Sequence, residues 1–515
     1  MGRYLFPILF AVVLVSPFVL RLAIGAGDEA EQADVAAASR RLVIVTPHNR
    51  DIQVEYDRAF NDWHQRTYGE AVNIDYRNVG GTGDIVKALT DYYNAVRERN
   101  DGELPPIEDV SAPYDMVWGG GDYEFDRNLE GRAGALQPME LSESVMQAAF
   151  PEPDLAGIKL YDQDDDGMHW VGVCLSSFGI VYSPFLYERL DLEPPTTWTD
   201  LTRPELHELV VLADPNKSGS ASVAYMMVLQ RAIADAEEAY LDGRELTDEI
   251  QAEPAYAEAL NAGWMKGTGD LMLMAANARY FTDSASAVPA EVSHSNAAAG
   301  TAIDFYGRVE TELAGEDRIV YVVPEAATAV TPDPIAICYG TTGEQLELAT
   351  RFTEFLLSSE GQQLWIKRAS SEGGPRDRSL RRTPIVPSVF ADQTDWTDLN
   401  DPFTTSGGFN QRGAWMGEFT ETRMIWNAAW VGAGDAMDNA YAAVLDVPAG
   451  PKRDALIARF RDVPTSWDKV RDIRAEIRSR EDAEQTAFKA RLTADLSAKF
   501  RKHFDAVKSA ARAAG

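Results

Sequence analysis

The sequence predicts an α/β protein with a largely parallel sheet. Short runs of β-branched and apolar residues, such as Arg41–Pro47 (RLVIVTP), alternate with longer stretches whose apolar residues recur at helical spacing. Glycine turns at Gly80–Gly83 and Gly119–Gly121 sit between them. The composition, 45 % hydrophobic and 25 % charged over 515 residues, is that of a folded chain. At ~150 residues per domain it has room for roughly two to four domains.

The elements follow in order. Arg41–Pro47 is a buried first strand stopped by Pro47, and Ile52–Tyr68 is a helix carrying Val54, Phe60, Trp63 and Tyr68. Val72–Tyr76 is a second strand. After the glycine turn Asp84 opens a helix with Ile85, Leu89, Tyr92 and Val96 on one face. Tyr114–Trp118 is a third strand. Trp170–Tyr182 reads as one long strand, Leu209–Ala213 as a buried strand, and Ala221–Ala234 as a helix. Met272–Phe281 and Thr301–Tyr306 are short elements, and Ile319–Val323 and Asp333–Tyr339 are strands. Helices follow at Gln345–Ser358 and Gly361–Arg368. The stretch Ser466–Arg512 is helical, with one stripe at Val470, Ile473 and Ile477 and another at Phe488, Leu492, Leu496, Phe500 and Phe504. No internal repeat is evident.

The formal charge of −33 opposes binding to phosphate backbones, so nucleic acid is excluded as a partner. A small anion is not excluded, because a nest of backbone N–H groups can oppose the global field. Residues 451–515 carry 16 basic and 10 acidic residues, which implies a basic helix packed on an acidic body or else a docking surface. Arg3, the apolar run Leu5–Leu20 and the small residues Ala23 and Gly25 read as an export signal, or else as an N-terminal anchor. Residues 27–40 are polar and alanine-rich, a linker. The two cysteines, Cys174 and Cys338, lie in apolar strand-like runs.

Enzyme signatures fail. His207-Glu208 opens a zinc-protease motif whose second histidine is replaced by Val211, and Gly81-Thr82-Gly83 lacks the third glycine of a dinucleotide site. Asp162, Asp164, Asp166 and Gly167 imitate a calcium loop, but Val173 stands where the bidentate Glu belongs, so this reads as a solvated acidic turn. No catalytic residue, metal site or cofactor is assigned. Instead, three small polar loops precede helices: Gly80–Asp84, Lys217–Ser222 and Thr282–Ser286. Each alone is an ordinary cap, but together they offer hydroxyls and helix N-termini suited to an anion. His48 and Asn49 follow the first strand, where open α/β sheets bind ligands.

Val45–Asn49 (VTPHN), Val79–Asp84 (VGGTGD), Trp118–Gly121 (WGGG), Leu175–Tyr182 (LSSFGIVY) and Leu212–Ala221 (LADPNKSGSA) form an ordered series. It continues with Tyr280–Pro289 (YFTDSASAVP), Ala302–Arg308 (AIDFYGR), Asp333–Ile337 (DPIAI) and Ser358–Trp365 (SSEGQQLW). In order and spacing it resembles the extracellular solute-binding proteins of bacterial ABC importers, in the iron(III)/thiamine/polyamine/phosphonate branch. The resemblance covers roughly residues 41–390. It implies a two-lobed periplasmic-binding-protein-like fold with two hinge crossovers: lobe 1 at 41–175 and 335–390, lobe 2 at 176–334, and a helical C-terminal extension at 391–515. Residues 1–26 are then the signal or anchor. Trp170–Tyr182 and Asp333–Tyr339 would be the crossovers, which would put Cys174 and Cys338 in adjacent segments and leave a disulfide open. Iron-binding members use two adjacent tyrosines where this chain has Phe305-Tyr306.

The expected function follows from that resemblance: a monomeric, exported, non-catalytic binding protein that delivers a small anionic solute to a membrane permease. A ferric carrier and a secreted sensory or scaffold protein are the alternatives. The expected ligand-binding residues are His48, Asn49, Gly81, Thr82, Gly83, Gly120, Ser176, Ser177, Lys217, Ser218, Ser220, Ser284, Ser286, Asp304, Tyr306 and Arg308.

Overall fold

The computed structural model describes residues 40–515 except 156–157, 325–326, 329, 399–417 and 481. The export signal and all of the linker but Arg40 lie outside the described residues. Arg40 itself is the first residue of β1 (Arg40–Val45).

Two sheets carry the fold. The first contains β1, β2 (Val72–Arg77), β3 (Met116–Trp118), β4 (Leu136–Gln137), β7 (Tyr161–Asp164), β8 (Gly167–Ser176), β14 (Thr331–Cys338) and β15 (Thr383–Pro384), in the order β15-β8-β14-β3-β1-β2, with β4 on β14 and β7 on β8. The second contains β9 (Phe178–Tyr182), β10 (Val210–Ala213), β11 (Ala278–Thr282), β12 (Ala299–Ile303) and β13 (Val320–Val322), ordered β11-β10-β12-β9-β13. β5 (Asp154–Leu155) and β6 (Ile158–Lys159) pair separately. The fold is therefore α/β and two-lobed.

The largely parallel expectation is corrected. Parallel pairing is confined to β2-β1-β3 and β11-β10-β12. The strands that carry the chain between lobes, β8, β9 and β14, run antiparallel to their neighbours. A strand leaving a lobe runs against the one returning to it, and no local periodicity encodes that direction.

Trp170–Tyr182 is two strands rather than one. β8 ends at Ser176 and β9 begins at Phe178 in the other sheet, because Ser177 gives its N–H to the Asp304 carboxylate instead of a ladder. The expected lobe boundary at 334–335 falls inside β14, which joins the first sheet from Thr331 opposite Ser176. In the same register Asp333 faces Cys174, so Cys338 lies five residues further along. At ~3.4 Å per residue that is about 17 Å, far beyond disulfide reach. Both cysteines are free and buried.

The helix expected to open at Asp84 starts at Thr82, with Gly81 as N-cap. Asp84 is its third residue and accepts the Gly81 N–H at 3.1 Å, closing the first turn. Met272–Phe281 is the end of the helix Pro254–Ala276 followed by β11.

The SSEGQQLW stretch has a structural role legible in its bonds. Gln362, fully buried in the helix Ser359–Ile366, donates to the carbonyls of Val173 and Leu356 at 2.7 Å. It accepts from the Ile385 N–H at 2.8 Å. One amide thus ties the returning chain to crossover strand β8. The Trp365 carbonyl takes the Arg382 N–H at 2.8 Å, setting the position of that arginine.

The C-terminal stretch packs on lobe 2. Trp426 and Trp430, one helical turn apart on Phe419–Trp430, stack on each other and meet Tyr225 edge-on; Trp430 also stacks on Phe281. Ser466–Arg512 is two helices, Trp467–Arg478 and Asp482–Ala514. Leu496, Phe500 and Phe504 of the second are buried. Among the described residues no helix is long and apolar enough to cross a membrane.

Candidate functional site

All six strands of the two parallel ladders point their C-terminal ends at one cavity of ≈ 610 Å³. β1 supplies His48 and Asn49, β2 leads to Asn78 and Gly80–Thr82, and β3 to Gly120–Asp122. From the other lobe, β10 leads to Lys217–Ser220, β11 to Asp283–Ser286, and β12 to Phe305 and Tyr306. Parallel strands release their loops on one edge, so two facing parallel ladders make a cleft between lobes.

The lobes meet across this cleft. A methyl group placed on Gly81 would lie 2.8 Å from the Lys217 carbonyl, and one on Gly219 would lie 3.7 Å from Thr82 Cβ. The N-termini of the helices Thr82–Glu98 and Gly219–Leu241 therefore converge from opposite lobes. First-turn N–H groups have no partner inside a helix, and each N-terminus carries roughly half a positive charge. The triple-glycine turn makes the approach possible: Gly120 has φ 126°, and a side chain there would strike Thr82.

The floor of the cavity holds an ion pair that no sequence motif marks. Arg382, 1 % exposed, places Nη1 2.5 Å from Asp333 Oδ2 and donates Nη2 to Ser176 Oγ at 2.6 Å. Its guanidinium lies over the Phe305 and Trp365 rings, 4.3 and 5.2 Å from their centroids. Its Nε has no partner. His48 Nε2 is hydrogen-bonded with Asp333 Oδ2 at 2.8 Å, and the Gly120 N–H donates to Oδ1 at 3.0 Å. The same Nε2 stands 3.1 Å from Arg382 Nη1, so the ring nitrogen is shared between the two members of the ion pair. Burial pushes the Asp333 carboxyl up, but Arg382, His48 and the Gly120 N–H hold it well below the usual carboxylate range. Burial lowers the His48 imidazole, with Arg382 adding to the effect against the pull of Asp333, so the ring is neutral at pH 7.

Of the residues expected from sequence, His48, Asn49, Gly81, Thr82, Gly120, Ser176, Lys217, Ser218, Ser220, Ser284, Ser286 and Tyr306 line the cavity. Four do not. Gly83 faces the Asn216 carbonyl at the contact between lobes. Ser177, Asp304 and Arg308 form a brace beside the crossover. Asp304 Oδ2 takes the Ser177 N–H and Oγ–H at 3.0 and 3.1 Å, and Arg308 Nη1 stands 3.9 Å away. Lys217 does line the wall, but its ammonium is paired with Asp283 at 2.6 Å. Arg382, Asp333 and Asp122 also line the cavity and are not among the residues expected from sequence. Asp333 reads in sequence as the start of a crossover strand, and an arginine in Leu380–Pro384 (LRRTP) has the look of a surface residue.

A cleft between two α/β lobes joined by crossover strands is a place where a small molecule can be enclosed. Residues 183–368 match the family model of bacterial extracellular solute-binding proteins. No curated protein matches the chain. Solved structures with a similar arrangement include AfuA from Actinobacillus pleuropneumoniae with fructose-6-phosphate bound, at 18 % identity and TM-score 0.46 over 74 % of this chain and 98 % of that one. Iron-bound HitA from Pseudomonas aeruginosa aligns at 17 % identity and TM-score 0.46, covering 74 % and 96 %. The substrate-binding protein of an ABC transporter from Agrobacterium tumefaciens aligns at 15 % identity and TM-score 0.49, covering 76 % and 94 %.

Proposed function

We propose that this is the extracytoplasmic substrate-binding component of an ABC importer, a monomer that takes up a small anionic solute without transforming it and hands it to the membrane permease. The observation that carries the anionic reading is the convergence of two long helix N-termini, from opposite lobes, on one cavity above Arg382. An anion between them relieves their mutual repulsion and gains hydrogen bonds from the Thr82, Ser218 and Ser284 hydroxyls that line the wall. The cavity carboxylates are largely engaged: Asp333 with Arg382, Asp283 with Lys217, and Asp84 with the Gly81 N–H.

A ferric carrier fits the same cavity less well. Among the described residues Tyr306 is the one phenol on the wall, and burial pushes it up to about 12, away from the phenolate that iron prefers. His48 is turned to Asp333, and the Asp304 carboxylate is held by Ser177 and the Phe305 N–H.

Thermal-shift and calorimetric titrations with sugar phosphates, phosphonates and ferric citrate test the reading. A phosphorylated or phosphonate solute at a hundredfold excess over its Kd adds ~2.7 kcal/mol of stability. Thr82→Ala and Ser284→Ala each remove a hydrogen bond to a charged ligand, ~1.5–3 kcal/mol, and weaken binding about ten- to a hundredfold. Stabilisation by ferric iron alone, abolished in Tyr306→Phe, overturns the anionic reading. Export is proposed from Arg3, Leu5–Leu20 and Ala23/Gly25. N-terminal sequencing of secreted protein is expected to begin between roughly residues 24 and 30, and intact Met1 in membranes identifies an anchor instead.

A further inference from the structure

We propose a second site on lobe 1, outside the cleft: a binding site for a divalent cation of the zinc class, made by Glu130, Asp164 and His169. One ligand atom from each of these residues lies within 4.8 Å of the other two. A second group, Asp126, Glu130 and Asp162, meets the same criterion and shares Glu130.

Three elements bring them together. The π-helical turn Glu124–Glu130 carries Asp126 and Glu130 four residues apart. β7 carries Asp162 and Asp164 two apart, hence on one face. His169 comes from β8 at a break in the β7–β8 register: Asp162 faces Trp170 and Gln163 faces Met168, so His169 is the extra, unpaired residue. A bulge of this kind re-aims a side chain.

His169 is only 9 % exposed, and its Nδ1 has no hydrogen-bond partner. That nitrogen stands 3.2 Å from Glu130 Oε1 without the alignment of a hydrogen bond. A buried ring nitrogen beside a carboxylate oxygen with no hydrogen bond between them is left unsatisfied, and a cation held by both atoms relieves that cost. Charge points the same way. Four carboxylates face one ammonium, Lys159, which pairs with Asp162 and stands 3.4 Å from Asp126. Asp126 also accepts the Trp170 indole N–H at 2.6 Å. Among the described residues, no lysine or arginine makes a salt bridge to Glu130 or Asp164, so Lys159 neutralises one half of the cluster and leaves the other for a metal.

The donor set selects the ion. One imidazole nitrogen with two carboxylates suits zinc or a similar transition ion, whereas calcium and magnesium prefer all-oxygen shells. Asp126 and Asp162, held by Lys159 and Trp170, would stand behind the ligands as outer partners.

Calorimetry on the full exported chain, stripped with chelator and titrated separately with zinc, calcium and magnesium chloride, tests the site. The expected result is saturable one-to-one zinc binding, weakened by at least about tenfold in Asp164→Asn and in His169→Gln. Asp164 is exposed, so its variant keeps the fold even if the buried histidine variant does not; circular dichroism checks both. Absence of saturable zinc binding, zinc affinity unchanged in Asp164→Asn, or a preference for calcium each overturns the proposal.

Discussion

Arg382→Met is expected to lower the unfolding free energy by about 3–5 kcal/mol and to abolish solute binding. The substitution leaves Asp333 buried without its countercharge, and an uncompensated buried charge is among the costliest defects a fold can carry. Urea denaturation measures the loss. The double variant Arg382→Met/Asp333→Leu is expected to regain much of the stability but none of the binding, because it removes the stranded charge without restoring the guanidinium. A loss below about 1 kcal/mol in the single variant would show that solvent screens the pair as it does at a surface.

The same site sets a pH dependence. Asp333 is depressed in the folded state, so its contribution is fully present above the unfolded carboxylate value of about 3.9 and is lost as pH falls below it. His48 is also depressed, so the unfolded chain binds its proton first, and stability declines as pH drops below about 6.5. Urea midpoints should therefore fall in two stages on acidification, with the first stage smaller in His48→Gln but not lost, since burial depresses His503 as well.

How much of this was legible in the sequence depends on how local each feature is. The strands of the parallel ladders are short apolar runs followed by small polar loops, and those loops line the cleft because parallel strands all end on one edge. That rule located His48, Thr82, Ser218 and Ser284 without any knowledge of packing. Arg382 escaped because its partners are remote: it meets His48 across 334 residues of chain. Its neighbourhood is polar and loop-like, and burial of an arginine leaves no trace in a hydropathy pattern. The acidic turn at Asp162–Gly167 reads as a solvated turn in sequence, because it lacks the closing glutamate of a calcium loop. A calcium loop draws its ligands from one continuous segment. Here the remaining ligands come from a π-helical turn and a bulge, two irregularities with no local code. Cys174 and Cys338 do lie on adjacent strands, β8 and β14, but the register that sets them five residues apart is not written in either strand.

Arg423→Ala is expected to open the cleft. The helix Phe419–Trp430 is anchored to lobe 2 by Trp426 and Trp430, yet its first turns reach lobe 1. Phe419 meets Tyr123 edge-on at 4.7 Å, and Thr420 shares a hydrogen bond with the Tyr123 hydroxyl at 3.2 Å. Arg423 joins the two lobes itself. Its Nε and Nη2 donate to the Pro215 carbonyl at 3.1 and 2.8 Å, just before the Lys217–Ser220 loop. Its Nη1 donates to Glu124 Oε1 at 3.2 Å, just after the Gly120–Asp122 turn. One guanidinium thus bridges both walls of the cavity, a contact that exists only when the lobes are together. Glu124 is buried, and truncating one partner of a buried hydrogen-bonded charge pair costs about 2–5 kcal/mol. That cost falls on the closed arrangement alone, since the open one does not make the bridge. Hinge closure then becomes less populated, and apparent affinity falls with the closed fraction. Small-angle scattering of the ligand-free variant should show a larger radius of gyration than the parent, and titration with the phosphorylated probe should show weaker binding. Arg474→Ala is the control, because that arginine pairs with Glu418 within the extension and spans no cleft. If Arg423→Ala leaves both scattering and affinity unchanged, the extension is a passive covering of lobe 2 and the lobes close without it.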